Sequence, residues 1–336
     1  MKKKVSIKEI AALSGVSVAT VSRVINNNGR FTEETRVKVL KVIEETGYET
    51  NYVAKSLRMK KSNTVGIMVP DISNAFFSSL VRKLESQLFE EGYSAIICNT
   101  DRSTEKEMAY LSTLESKMVD GLIVISGQKE FSQANLTRKI PVICIDRKPQ
   151  DELATILIHS DNFMGGVVAT EELIQKGCKN IALLANVVSM SSFKYRREGF
   201  AQTLDANKDA IETINYIEIT QQPGLSQTEI AKDAVSEYLK AGNICDGIFA
   251  VNDRLAIGAI EAAHEFGLKI PEDIKIVGFD NDPISKYCFP KLTTVRQDTQ
   301  KLSEIAFETL LNLIDGIEPE KKQIVIPINL IKRQTT

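Results

Sequence analysis

Two groups of residues in this 336-residue chain have types and spacing that suit chemistry. The first lies in Ser17-Val18-Ala19-Thr20-Val21-Ser22-Arg23-Val24-Ile25-Asn26. Val21, Val24 and Ile25 recur at helical spacing, so a helix here turns them inward and projects Val18, Ala19, Thr20, Ser22, Arg23 and Asn26. A guanidinium such as that of Arg23 bridges O6 and N7 of guanine, and small apolar groups such as Val18 and Ala19 touch a thymine methyl. The hydroxyls and Asn26 suit phosphate oxygens. Ser17, the N-cap of the same helix, is counted in this DNA-facing set. The second group is Asp146 and Asp280. Each ends an apolar run that follows an Ile-Pro pair, Ile140-Pro141 and Ile270-Pro271. Two carboxylates facing one space either hold the hydroxyls of a bound sugar or serve as the acid and base of a glycosidase.

Enzyme chemistry finds little else to use. There are two histidines, His159 and His264, and no nucleophile elbow, Walker loop or GxGxxG motif. His159 sits in an apolar run and reads as a satisfied structural residue. The five cysteines are widely spaced with no CxxC pair, which argues against a disulfide framework or structural zinc and for reduced thiols in a cytoplasm. No apolar stretch follows the Met-Lys-Lys-Lys start, so no export signal is expected, and no run reaches the roughly eighteen apolar residues of a membrane span. The expectation is a cytoplasmic binding protein without catalytic residues, metal or cofactor.

The elements that must position these residues differ between the two ends of the chain. Ser6-Ile7-Lys8-Glu9 fits a capping box, Ile10, Ala11 and Leu13 give the following helix an apolar side, and Gly15 turns the chain before Ser17. Two short helices around such a turn form a helix-turn-helix. A third helix begins at Thr32, with Val37, Leu40 and Ile43 expected to face inward and Gly47 ending it. Residues 1–61 carry a net charge of +7 and the remainder −9, the split expected when one end alone meets a polyanion. From Thr64 onward apolar runs alternate with amphipathic stretches, the pattern of βαβ units and a parallel sheet. Strands are read at 65–69, 94–98, 121–125, 142–145, 181–184, 247–251 and 274–279. Val119-Asp120-Gly121-Leu122-Ile123-Val124-Ile125-Ser126 echoes Cys245-Asp246-Gly247-Ile248-Phe249-Ala250-Val251-Asn252. With the repeated Ile-Pro runs, this suggests two similar lobes with Asp146 and Asp280 facing each other across a cleft beyond the strand ends.

The stretch VSIKEIAALSGVSVATVSRVINNNGRFTEETRVKVLKVIEETGY resembles the headpiece of the lactose repressor and galactose repressor family, most of all in Gly15-Val16-Ser17 and in Ala19 to Val24. The resemblance runs on through DISNAFF, VDGLIV, SDNFMGG, YRREGF, VNDRLAIGA, IVGFDN and LTTVRQD. It implies an all-α helix-turn-helix headpiece over residues 1–50, a hinge at 51–63, and a two-lobed α/β effector domain of the periplasmic-binding-protein type 1 fold over 64–336. Crossovers are expected near His159, Lys291 and Gln323, giving a first lobe of about 64–159 and 292–322 and a second of about 160–291 and 323–336.

In the family the hinge becomes a helix on the operator. The residue matching Leu57 wedges into the minor groove, a use that Leu57 and the nearby cation Lys55 suit. Effector contacts carried over position by position fall on Phe76 or Phe77, Asp146, Ser192, Arg196, Asn252, Asp280 and Gln297. Adjacent aromatics at a helix start suggest one ring in the core and one in the pocket. Asp161 and Asn162 read as helix caps, and Gly165 and Gly166 as points of close packing. The sequence departs from the family at Ala75, where Pro is frequent, at Ile125, where some members have a polar residue, and at Gln221-Gln222, where an aromatic often closes the pocket. The expected partners are a palindromic double-stranded DNA operator, a sugar effector and a second copy of the chain, with a purine or a phosphoprotein as the alternative co-regulator. A single headpiece reads only a few base pairs, which is the physical case for a homodimer.

Overall fold

The computed structural model describes residues 5–25, 27–48, 61–127, 130–151, 155–187, 191–222 and 224–336. The chain forms two compact units that divide after Ser62. The first holds three helices, α1 (Ile7–Ser14), α2 (Val18–Ile25) and α3 (Glu33–Thr46). The capping box starts α1: Glu9 N–H donates to Ser6 Oγ at 3.3 Å, and the Ser6 N–H donates to the Glu9 carboxylate at 2.7 Å. Gly15 ends the helix at φ 68°, a left-handed turn that glycine adopts without a Cβ penalty.

Ile10, Ala11, Val21, Val24 and Val39 form the core of this unit, with Val42, Ile43 and Tyr48 packed around it. Three residues expected inside lie outside: Leu13, Val37 and Leu40 are 62%, 58% and 44% exposed. The inward stripe of α3 is Val39 with Val42 and Ile43, an i, i+3, i+4 set. At about 100° per residue, Val37 falls roughly opposite Val39.

The second unit contains, among its described residues, two six-stranded sheets. The first uses β1 (Thr64–Val69), β2 (Ser94–Asn99), β3 (Gly121–Ile125), β4 (Val142–Ile145), β5 (Ile156–Ser160) and the late strand β11 (Gln323–Ile326), in the order β11-β5-β4-β3-β1-β2. Its pairings are all parallel, and helices α4 (Ala75–Glu90) and α5 (Thr104–Ser116) connect its first strands. The second sheet uses β6 (Asn180–Asn186), β7 (Thr213–Ile219), β8 (Gly247–Ala250), β9 (Lys275–Asp280), β10 (Thr293–Arg296) and β12 (Asn329–Ile331), in the order β12-β10-β9-β8-β6-β7. Around it run α6 (Asn162–Gln175), α7 (Ser191–Ala206), α8 (Gln227–Lys240), α9 (Asp253–Glu265) and the short α10 (Ile284–Tyr287). The antiparallel β10–β12 pair is the one departure from parallel pairing.

The chain crosses between lobes three times, and strand pairing fixes where. β5 pairs with β4, so the first crossover follows Ser160, close to the expected His159. β10 pairs in parallel with β9, which moves the second crossover past Arg296 rather than Lys291. β11 pairs with β5, which moves the third past Ile326 rather than Gln323. Between the last two, α11 (Thr299–Ile314) buries Leu302, Ala306 and Leu310 in the first lobe's core. Among the described residues, no helix is long and apolar enough to cross a membrane.

Candidate functional site

On α2 the burial of Val21 and Val24 leaves Val18, Ala19 and Arg23 exposed and Thr20 and Ser22 half-buried. Ser17 is exposed, but its hydroxyl is engaged. It accepts the Thr20 N–H at 3.1 Å and meets the Thr20 hydroxyl at 2.9 Å, so it caps the helix it was expected to help read with. Gly29, at φ 96°, leaves room for the stem of Arg23: a Cβ there would come within 3.2 Å of Arg23 Cδ. Asn26, Lys55 and Leu57 lie outside the described residues.

In the second unit a cavity opens between the lobes. Its wall brings together every effector residue expected from the sequence: Phe76, Phe77, Asp146, Ser192, Arg196, Asn252, Asp280 and Gln297. Five more join them that the sequence did not single out, namely Asn74, Arg102, Ser126, Phe193 and Gln227. Asn74 caps α4 by accepting the Phe76 N–H at 2.9 Å, which sets the following aromatic pair at the cavity edge. The two rings meet edge to face, 5.4 Å apart, and both line the cavity while both pack in the first lobe's core. The expected division into one core ring and one pocket ring does not occur. Ile125 is buried in the core, and its neighbour Ser126 supplies the polar wall. Gln221 and Gln222 are exposed and do not reach the cavity, whereas Gln227 from the same segment does.

Three cavity residues sit at strand ends in left-handed backbone: Ser126 at φ 47°, Asp146 at φ 49° and Asp280 at φ 110°. Non-glycine residues hold such conformations at a cost that surrounding structure must offset, and they concentrate at binding sites. Asp146 Oδ1 accepts the Ser160 N–H at 3.1 Å and Asn162 Nδ2 at 3.0 Å. Asp280 Oδ1 accepts Gln297 Nε2 at 2.7 Å. Arg196 is fixed from several sides: Nε donates to Asn162 Oδ1 at 2.8 Å, and Nη1 donates to the Val251 carbonyl at 2.5 Å. The same Nη1 lies 3.5 Å from Asp280 Oδ1, and the guanidinium stacks 3.5 Å from the centroid of Phe279. Two buried acceptors, Asp146 Oδ2 and Gln297 Oε1, have no partner among the described residues. Each is an oxygen that a donor group on a ligand would satisfy.

Burial pushes the Asp280 carboxyl up to about 7, with Arg196 pulling the other way, and raises Asp146 for the same reason against the same cation. Burial lowers Arg196, while Asp280 and Asp146 hold it up. A guanidinium does not deprotonate in proteins, so the fixed positive charge of Arg196 stands among carboxyls that water no longer screens.

Neighbouring residues play different parts from those expected. Asp161 does cap α6, accepting the Met164 N–H at 3.1 Å, but Asn162 turns inward and bridges Asp146 to Arg196. Gly165 and Gly166 do serve close packing: a Cβ at Gly166 would lie 2.2 Å from the Arg196 carbonyl oxygen. His159 is satisfied on both nitrogens, Nδ1 donating to the Ser160 carbonyl and Nε2 accepting from Gln323, each at 2.8 Å.

Residues 6–51 match the model of bacterial regulatory proteins of the lacI family, and residues 170–336 match a periplasmic binding protein-like domain. The ribose operon repressor of Halalkalibacterium halodurans is 36% identical over 334 residues, covering 98% of this chain and 97% of that protein. Among solved structures, the lac repressor dimer bound to operator and the anti-inducer ONPF superposes with a TM-score of 0.87 at 28% identity, covering 99% of both chains. A LacI family transcriptional regulator from Enterococcus faecium with bound ribose superposes with a TM-score of 0.70 at 29% identity, covering 81% of this chain and 98% of that one.

Proposed function

The chain belongs to the lacI family of bacterial DNA-binding regulators, and from that premise we propose that it is a repressor that binds a palindromic operator as a dimer and answers to a neutral sugar of monosaccharide size. The relatives at this level of identity are transcriptional regulators and not enzymes. The observation that carries the sugar reading is the convergence of Asp146, Arg196, Asn252, Asp280 and Gln297 on one cavity with two buried acceptors still open. Hydroxyl groups donate to Asp146 Oδ2 and Gln297 Oε1, and an aromatic wall from Phe76 or Phe77 covers the apolar face of a sugar ring. A ribose operon repressor among the relatives favours one ring over two.

On the DNA side, Val18, Ala19 and Arg23 read base edges, Ser17, Thr20, Ser22 and Asn26 contact the backbone, and Lys55 and Leu57 engage the minor groove. Arg23→Ala is expected to weaken operator binding by about 1–3 kcal/mol and to relax preference at one base pair. Anisotropy titrations on the operator and on single-base variants read this out, and an equal loss on every sequence would remove the base-reading role. The effector is tested by thermal shift with D-ribose and other neutral monosaccharides, followed by operator titration with and without the sugar. A stabilising sugar that also changes operator affinity supports the proposal. The absence of any shift across the neutral sugars overturns it.

A further inference from the structure

We infer that Asn162 is the positioning residue that ties effector contacts to closure of the two lobes. It lies two residues beyond the end of β5 and opens α6, so it stands on the first crossover between lobes. The side chain is almost wholly buried, and its two polar atoms point to opposite lobes: Nδ2 donates to Asp146 Oδ1 at 3.0 Å in the first lobe, and Oδ1 accepts Arg196 Nε at 2.8 Å in the second. Nδ2 also donates to the Ser160 carbonyl at 3.0 Å. With acceptors on one side and a guanidinium donor on the other, only one orientation of the amide satisfies the site. Helix capping, the obvious local use of an Asn here, is already supplied by Asp161.

The bridge has a mechanical consequence. An amide oxygen and nitrogen are held at fixed separation on one planar carbon, so both bonds form at one relative placement of Asp146 and Arg196. Side-chain hydrogen bonds span about 2.7–3.2 Å and weaken steeply when bent, and a contact stretched to about 3.6 Å no longer is one. Rotation of one lobe against the other about this crossover therefore breaks one of them. A ligand engaging Asp146 Oδ2 and the Arg196 guanidinium, as the sugar reading on which this inference rests requires, holds both ends of the bridge and favours the closed placement. Asn162 touches no ligand itself; it sets where the two groups that do are found.

The test uses the full chain with Asn162→Asp and Asn162→Ala, and Asp161→Ala as the control for helix capping. Hydrogen exchange of the ligand-free proteins follows protection of the crossover around 160–166, and D-ribose affinity and operator affinity with and without D-ribose are measured beside it. Asn162→Asp keeps an acceptor for Arg196 but sets a carboxylate against Asp146, so protection is expected to fall and the D-ribose Kd to rise by at least about tenfold. The response of operator affinity to D-ribose should shrink with it. Asn162→Ala removes both bonds and should lower protection as well, whereas Asp161→Ala, which loses only the helix cap, should lower thermal stability and leave the D-ribose response unaltered. Protection and Kd within about twofold of the parent in both Asn162 variants would overturn the inference. If the parent fails to bind D-ribose, the sugar reading is what falls. The ligand-free comparison still decides Asn162: a loss in both Asn162 variants greater than in Asp161→Ala supports the bridge, and a loss no greater than in Asp161→Ala refutes it.

Discussion

Asp253 is fully buried at the start of α9, and its carboxyl accepts the Asp282 N–H at 2.7 Å and the Thr294 hydroxyl at 2.5 Å. Burial, reinforced by Asp280 and Asp282, raises its pKa well above the ordinary carboxyl range. Such a group takes up a proton on folding. Its stabilising effect is fully present below the unfolded value near pH 4, and is lost as pH rises through the folded value. Asn has the same shape and no proton to lose: its Oδ1 accepts the Asp282 N–H, and its Nδ2 donates to the Thr294 hydroxyl oxygen once that hydroxyl turns to accept. Asp253→Asn should therefore flatten the fall of stability with rising pH, leaving the parent the more pH-sensitive of the two above the unfolded value near pH 4. Urea midpoints across that range measure it, and parallel profiles would show that the native carboxyl is ionised. The backbone is shaped around this group, since a Cβ at Gly278 would lie 2.3 Å from Asp253 Oδ1.

Helices α6 and α7 owe their close approach to two reciprocal glycines. A Cβ at Gly166 would meet the Arg196 carbonyl oxygen, and one at Gly199 would meet the Phe163 carbonyl oxygen, each at 2.2 Å. Backbone cannot yield as a side-chain tip can, so Gly166→Ala should force the helices apart, cost about 1–3 kcal/mol in urea denaturation and carry Arg196 away from Asp280. A variant of parental stability would mean the helices slide without cost.

The same elements show what a sequence can disclose. Strands covered on both faces, such as Gly121–Ile125, read as unbroken apolar runs and are legible. The edge strand Thr213–Ile219 alternates exposed and buried residues and carries Asn215 and Glu218, so it passes as irregular chain. Crossovers were misplaced by a few residues because lobe membership depends on strand pairing between distant segments. The cavity residues carried over by resemblance all converge. Arg102 escaped because it reaches the wall through consecutive left-handed residues, Asp101 at φ 49° and Arg102 at φ 58°, which residue type does not announce. The bridge at Asn162 was hidden by the commoner role of Asn at a helix start.

At the scale of the whole molecule, charge and surface point to one mode of assembly. The +7 carried by residues 1–61 is drawn to DNA, whereas the −9 of the remainder is repelled by it. Specific binding must therefore come from the headpiece, and two headpieces held at fixed spacing gain what one cannot. Holding them calls for a contact surface elsewhere. The segment from α10 onward offers one: Tyr287 and Phe289 are 81% and 83% exposed, with Ile284 beside them on α10. Large exposed aromatic groups are costly in water, and this segment is where a second copy is expected to sit. We expect sedimentation equilibrium to show a dimer for the parent and a shift toward monomer for Phe289→Asp, because a carboxylate buried without a partner costs several kcal/mol at an interface. Operator affinity should fall with it, while binding to a single half-site, which needs one headpiece alone, should change little. A Phe289→Asp protein that stays dimeric would place the contact on another face. One that turns monomeric yet keeps full operator affinity would separate assembly from DNA reading altogether.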